Sequence, residues 1–145
     1  MVKDKFQLDN FLPYLLNRAA EEVSLDFQRH YKDRYGMLRT EWRVLAHLGE
    51  RGTMNARDIG RQARIHKTKI SRAIVALEAK RFIKRMTAEN DRRFDVLDLT
   101  QVGRAAFDDL SGIALEYDRK LQTLLGGTDI SQLRQTLKQL AEQFE

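Results

Sequence analysis

Twelve lysines and arginines fall between Arg57 and Arg93, at positions 57, 61, 64, 67, 69, 72, 80, 81, 84, 85, 92 and 93. Four acids stand against them: Asp58, Glu78, Glu89 and Asp91. The window is therefore net +8 in a chain of formal charge +5, which leaves −3 for the rest. A cationic centre with mildly acidic arms suits a polyanion that touches one region only. Ammonium groups serve as point charges for phosphate, and guanidinium forks match phosphate or the O6/N7 edge of guanine. No other residue set offers chemistry of comparable specificity. The absence of cysteine removes disulfides, thiolate metal sites and thiol redox switching, and suits an intracellular protein. His30, His47 and His66 lack a zinc-hydrolase spacing, His47 with Glu50 is an isolated i,i+3 pair, and Gly103 belongs to no phosphate-cradling loop. The expectation is a protein that is not an enzyme, with no catalytic residue, metal or cofactor.

The cations must be held by something, and the local pattern supplies two helices. Asn55 can cap the first, with Asp58 at capping-box spacing, and Ile59 and Ala63 turn inward. A break is expected at Arg64-Ile65-His66. The second helix starts at Lys67 and carries Ile70, Ala73, Ile74 and Leu77 at i, i+3, i+4 and i+7, so Lys67, Thr68, Lys69, Ser71, Arg72 and Val75 face elsewhere. Two short helices with a brief turn, the second cationic outside, read as a helix-turn-helix. After it, Phe82 to Met86 and Phe94 to Leu99 read as two strands around a polar turn, Thr87 to Arg93. The imperfect alternation of the second, with Phe94/Val96 in one register and Leu97/Leu99 in the other, implies a bulge or contact on both faces. A hairpin with a cationic tip beside a helix-turn-helix is a wing.

The rest of the chain, which totals 145 residues and is 42% hydrophobic and 32% charged over its full length, is mainly helical. A long helix starts at Asp9 or Asn10, keeps Pro13 in its first turn, and shows Leu12, Leu15, Leu16, Ala19, Ala20, Val23 and Phe27 on one stripe. Gly36 breaks it. Thr40 can cap a helix holding Trp42, Leu45, Ala46 and Leu48 that ends near Gly49 or Gly52, and Met54 contributes a short extended segment. Thr100 can cap a helix from Gln101 toward Leu125, Gly126-Gly127 ends it, and Thr128 or Asp129 opens a last helix with Ile130, Leu133, Leu137, Leu140 and Phe144. These terminal helices carry more apolar surface than a reading domain of about 60 residues absorbs, and pairing of two chains covers it. No run approaches the ~18 apolar residues of a membrane span. Met1 to Lys5 lacks the apolar centre of a signal peptide, so the expected location is the cytoplasm.

The run Asp91-Arg92-Arg93-Phe94-Asp95-Val96-Leu97-Asp98-Leu99-Thr100-Gln101-Val102-Gly103 resembles the wing signature of the MarR family, and the order of elements is similar from about residue 8 to 144. The resemblance implies a mainly α, single MarR-like domain over 1–145. Within it, residues 36–100 form a winged helix-turn-helix lobe with a two-stranded wing, and 8–34 and 101–145 are dimerisation helices. It implies a homodimeric regulator of transcription, usually a repressor, on pseudopalindromic double-stranded DNA. By position, Lys67, Thr68, Lys69 and Arg72 resemble the recognition-helix contacts, Arg93 the minor-groove arginine, and Asp91 the aspartate bracing it. Arg92 contacts phosphate or shares the groove role. Thr100 and Gly103 match positions that anchor the wing to the next helix. The chain departs from the family pattern at Arg64 and Arg81, where glycine is frequent and a left-handed backbone is expected, and at His66, a weaker helix cap than serine or aspartate.

Regulators of this family often bind small aromatic acids or phenols. Tyr14 and Arg18, one turn apart, with Trp42 on the next helix, form the expected effector pocket. Against this, Trp42 also reads as a core aromatic, and Arg18 can instead pair with Glu21 or Glu22. The competing function is an activator, or a protein-interaction module with weak nonspecific DNA binding. RNA fits the charge but not the paired recognition helices.

Overall fold

The computed structural model describes residues 4–88 and 91–145, the side chains of residues 88 and 91–94 excepted. A 3-10 turn, Leu8–Asn10, precedes helix α1 (Leu12–Tyr35). The helix thus starts after Phe11 rather than at Asp9 or Asn10, directly upstream of Pro13, whose missing N–H is harmless only in a first turn. Gly36 ends it in the left-handed region (φ 64°), its N–H donating to the Lys32 carbonyl at 2.9 Å while Met37 N–H reaches the Tyr31 carbonyl at 3.2 Å.

Helix α2 (Arg39–Arg51) corrects the expected Thr40 cap. Leu38 holds the N-cap position, and its N–H donates to Glu41 Oε2 at 3.1 Å. The carboxylate half of a capping box does the work without a hydroxyl. Glu41 is only 2% exposed, and its other oxygen accepts from Lys80 Nζ, which also donates to the Gly36 carbonyl at 2.7 Å. The helix runs through Gly49 to Gly52.

The helix-turn-helix follows the sequence pattern closely. In α3 (Ala56–Ala63) Asn55 Oδ1 accepts from Asp58 N–H at 2.8 Å, and Ile59 and Ala63 are buried. Arg64 caps it in the left-handed region (φ 55°). In α4 (Lys67–Ala79) Ile70, Ala73, Ile74 and Leu77 are buried. His66 does cap this helix, its Nδ1 accepting from Thr68 N–H at 3.2 Å. Arg81, after the helix, is the second left-handed arginine (φ 65°).

The wing is the expected two-stranded hairpin, and the short extended segment at Met54 pairs with it as a third strand of the sheet. Strands β2 (Ile83–Ala88) and β3 (Asp91–Leu99) pair antiparallel, and β1 (Met54–Asn55) joins the far side of β3, giving the order β1-β3-β2. Met54 stands opposite Leu97 and Asn55 opposite Val96. The register shifts between Thr87 and Ala88, so the bulge lies toward the tip of the hairpin, while the irregularly alternating stretch from Val96 to Leu99 pairs in regular register. Leu97 and Leu99 face the core, with Ile83 opposite Leu99.

Helix α5 (Gln101–Leu124) follows, then α6 (Ile130–Glu142). The chain divides into two compact units, Met1–Leu110 and Ser111–Glu145. In the first, Asp109 accepts from Arg34 at 2.6 Å and from the Tyr35 hydroxyl at 2.5 Å, joining α1 to the start of α5. These two donors hold the Asp109 carboxyl below its ordinary value. In the second, Asp129 caps α6 through Gln132 N–H at 3.1 Å, and Arg134 pairs with Asp118. Among the described residues no helix is long and apolar enough to cross a membrane, and no group of acids and histidines has the makings of a metal site.

Candidate nucleic-acid interface

Burial of the α4 stripe fixes what the helix presents outward. Lys67, Thr68, Lys69, Arg72 and Val75 are exposed, Val75 by 62%. Thr68, Arg72 and Val75 follow at i, i+4 and i+7, so a hydroxyl, a guanidinium fork and an apolar tip share one face. Lys67, Lys69 and Arg72 have no acidic partner among the described residues. Other cations of the window are spent within the lobe: Arg61 on Asp58 at 3.2 Å, and Lys80 on the buried Glu41.

Arg85, on β2, makes the most informative internal pair. Its guanidinium donates to Glu78 at 2.7 Å, in the last turn of α4, and to Asp95 at 3.1 Å on β3. Both carboxylates push its pKa above the ordinary arginine value. One side chain thus fastens the hairpin to α4. Sequence reading counts Arg85 only as part of the basic run. The signal for its role lies in the strand register: Thr87 faces Asp95, which puts Arg85 diagonal to Asp95 on one face.

The base of the hairpin is tied at its other end by Thr100 and Gly103. Thr100 N–H donates to the Phe82 carbonyl at 3.0 Å, its hydroxyl donates to the Arg81 carbonyl at 2.7 Å, and the same oxygen accepts from Gly103 N–H at 3.0 Å. Both residues are structural anchors. The side chains of Asp91, Arg92 and Arg93 lie outside the described residues, while their backbone belongs to β3. Between α3, α4 and the sheet lies a concavity of about 600 Å³ floored by Gly60, Ile70 and Leu97, with Arg57, Arg61 and Lys67 at its rim. Ser71 lines it while remaining exposed.

A second cavity, of about 470 Å³, lies between α1 and α2. Trp42 lines it, stacked on Tyr31 (6.0 Å, 13°) and tilted against Phe27 (5.7 Å). Tyr14 and Arg18 do not line it, and Arg18 is exposed. Its cations are Arg39 and Arg43. Arg39 meets Glu21 in a two-pronged pair at 2.9 and 3.1 Å, so Glu21 is taken by α2 and not by Arg18. That pairing lowers the Glu21 pKa. A single helix face gives no sign that the acid's partner sits on the next helix.

A family model described as the MarR family matches residues 35–93. The HTH-type transcriptional regulator FarR of Neisseria gonorrhoeae is 26% identical over 102 residues, 70% of each chain. The crystal structure of a MarR family transcriptional regulator from Silicibacter pomeroyi DSS-3 matches with a TM-score of 0.83 at 27% identity, covering 98% of this chain and all of that one. Bordetella bronchiseptica BpsR, whose structure concerns regulation of its DNA binding by 6-hydroxynicotinic acid, shares the fold at a TM-score of 0.79 and 21% identity, over 97% of each chain.

Proposed function

Because the chain belongs to the MarR family of DNA-binding transcription regulators, we propose that it acts as a homodimeric repressor, released from a pseudopalindromic operator by a small aromatic acid or phenol. The outer face of α4 carries this reading: Thr68, Lys69 and Arg72 stand exposed beside a hairpin that Arg85 fastens to the same helix. Arg72 is assigned to bidentate reading of guanine, Lys67 and Lys69 to phosphates, Thr68 to a base or nearby phosphate, and Val75 to a thymine methyl. At the wing, Arg93 is assigned to the minor groove, braced by Asp91, with Arg92 on phosphate or in the same groove.

Residues 36–100 are assigned as the reading lobe, and residues 8–34 and 101–145 as the dimerisation helices. Supporting the dimer, each unit leaves large apolar side chains exposed: Leu12, Leu15, Leu16 and Val23 in the first, Leu137, Leu140 and Phe144 in the second. Two α4 helices about 34 Å apart enter successive major grooves on one face of the duplex. The α1–α2 cavity is the assigned ligand site, with Trp42 and its aromatic neighbours for a ring and guanidinium groups for a carboxylate. The control of BpsR by a hydroxylated aromatic acid favours that ligand class.

Replacing Arg72 with alanine tests the reading assignment. The expected loss is roughly 1–3 kcal/mol on the operator, with relaxed preference at one base pair and little change on random duplex. Competition titrations at fixed salt measure it, and equal losses on both duplexes contradict a base contact.

A further inference from the structure

We propose that Arg43 couples the α1–α2 cavity to the helix-turn-helix: an anionic ligand in the cavity takes the guanidinium that otherwise holds the end of α3. The inference rests on the aromatic-acid reading above. Of the two arginines lining the cavity, Arg39 already has its carboxylate in Glu21. Arg43 has none among the described residues. Its NH2 donates to the backbone carbonyl of Ala63 at 2.5 Å, a neutral acceptor. Burial, and then the like charge of Arg39, lower its pKa. A partly desolvated cation beside another cation gains most from an arriving carboxylate.

The other end of the contact gives that gain a consequence. Ala63 is the last residue of α3 and is buried, so its carbonyl has no next turn to accept from. A cation at a helix C-terminus is favourable on both hydrogen-bonding and dipole grounds. The following residue, Arg64, is held at φ 55°, a conformation that a non-glycine side chain disfavours. His66 then caps α4, and Lys67, Thr68 and Lys69 follow at once. Drawing Arg43 toward the cavity loosens the turn that sets where the reading end of α4 begins. A neutral ligand makes no such demand on Arg43.

Trp42 is the only tryptophan of the chain and lines the cavity, so its emission reports occupancy. Benzoate, 4-hydroxybenzoate and 6-hydroxynicotinate are titrated beside their neutral amides, on the wild type, Arg43→Met and Arg43→Lys. DNA binding is followed on a duplex that the wild type selects from a random pool. The wild type should bind at least one acid more tightly than its amide by about tenfold or more. Arg43→Met should erase that preference, bind the duplex more weakly than the wild type without ligand, and show no further weakening with acid. Arg43→Lys keeps the charge and should keep the preference; its loss there, with circular dichroism unchanged, assigns the effect to packing and overturns the relay. Arg43→Met that binds acids as the wild type does, or is still released by them, overturns the relay while the ligand reading stands. If no acid changes Trp42 emission in the wild type, the ligand reading fails and the relay with it.

Discussion

Replacing Gly103 with alanine should destabilise the unit Met1–Leu110 by roughly 3 kcal/mol, the upper end of the usual cost of overpacking. A Cβ at this position would lie 1.9 Å from the Phe82 carbonyl oxygen and 2.9 Å from its carbon. The obstacle is backbone, so no side chain can swing aside. Nor can the backbone retreat easily, because Thr100, directly before α5, binds the Arg81 and Phe82 carbonyls. Urea unfolding should show a lower midpoint with an unchanged slope. Gly112, further along the same helix, is the internal control. Nothing lies within 4 Å of the point where a methyl group would stand on it, so alanine there should be neutral or stabilise by up to about 1 kcal/mol through helix propensity. Equal midpoints for the two variants would contradict the close approach of α5 to the hairpin.

Replacing Lys80 with methionine should cost roughly 2–3 kcal/mol. Glu41 is 2% exposed and would keep only the Leu38 N–H as a donor, while the Gly36 carbonyl would lose Lys80 as well. Breaking a fully buried pair costs about 3–5 kcal/mol, and the side chain of Lys80 is 34% exposed, which reduces the penalty. The double variant Glu41→Leu/Lys80→Met should recover most of the loss, since an apolar pair needs no partner. A double variant less stable than Lys80→Met alone would show that Glu41 matters chiefly as the cap of α2.

The contrast between these two sites shows what sequence can reveal. Gly103 is legible, because a glycine three residues after Thr100 in that wing pattern resembles an anchor and nothing else fits so close a backbone. The α3–α4 pair is equally legible: Ile70, Ala73, Ile74 and Leu77 can be buried together only on a helix, and Arg64 and Arg81 stand where left-handed backbone is needed. Glu41 is not legible. A glutamate in the first turn of an amphipathic helix reads as solvated, and its partner lies 39 residues away. The short extended segment at Met54 is legible but its place in the sheet is not, since two residues, Met54 and Asn55, are too short to show a period that would assign them to β3. Arg39 and Arg43 escape because the cavity they line depends on how α1 packs on α2. A wheel drawn for α1 alone favours Tyr14 and Arg18, but the cavity opens on the turns carrying Glu21, Ser24 and Tyr31.

The most direct test of the central claim is a binding titration with the purified protein on the intergenic DNA beside its own gene. Random duplex serves as competitor, and salt is held fixed because phosphate contacts alone make affinity salt-dependent. A repressor of the proposed kind should bind saturably, one dimer per site, and resist a large excess of random duplex. Equal binding to the two duplexes, with no saturable site at any position in the intergenic DNA, would contradict it.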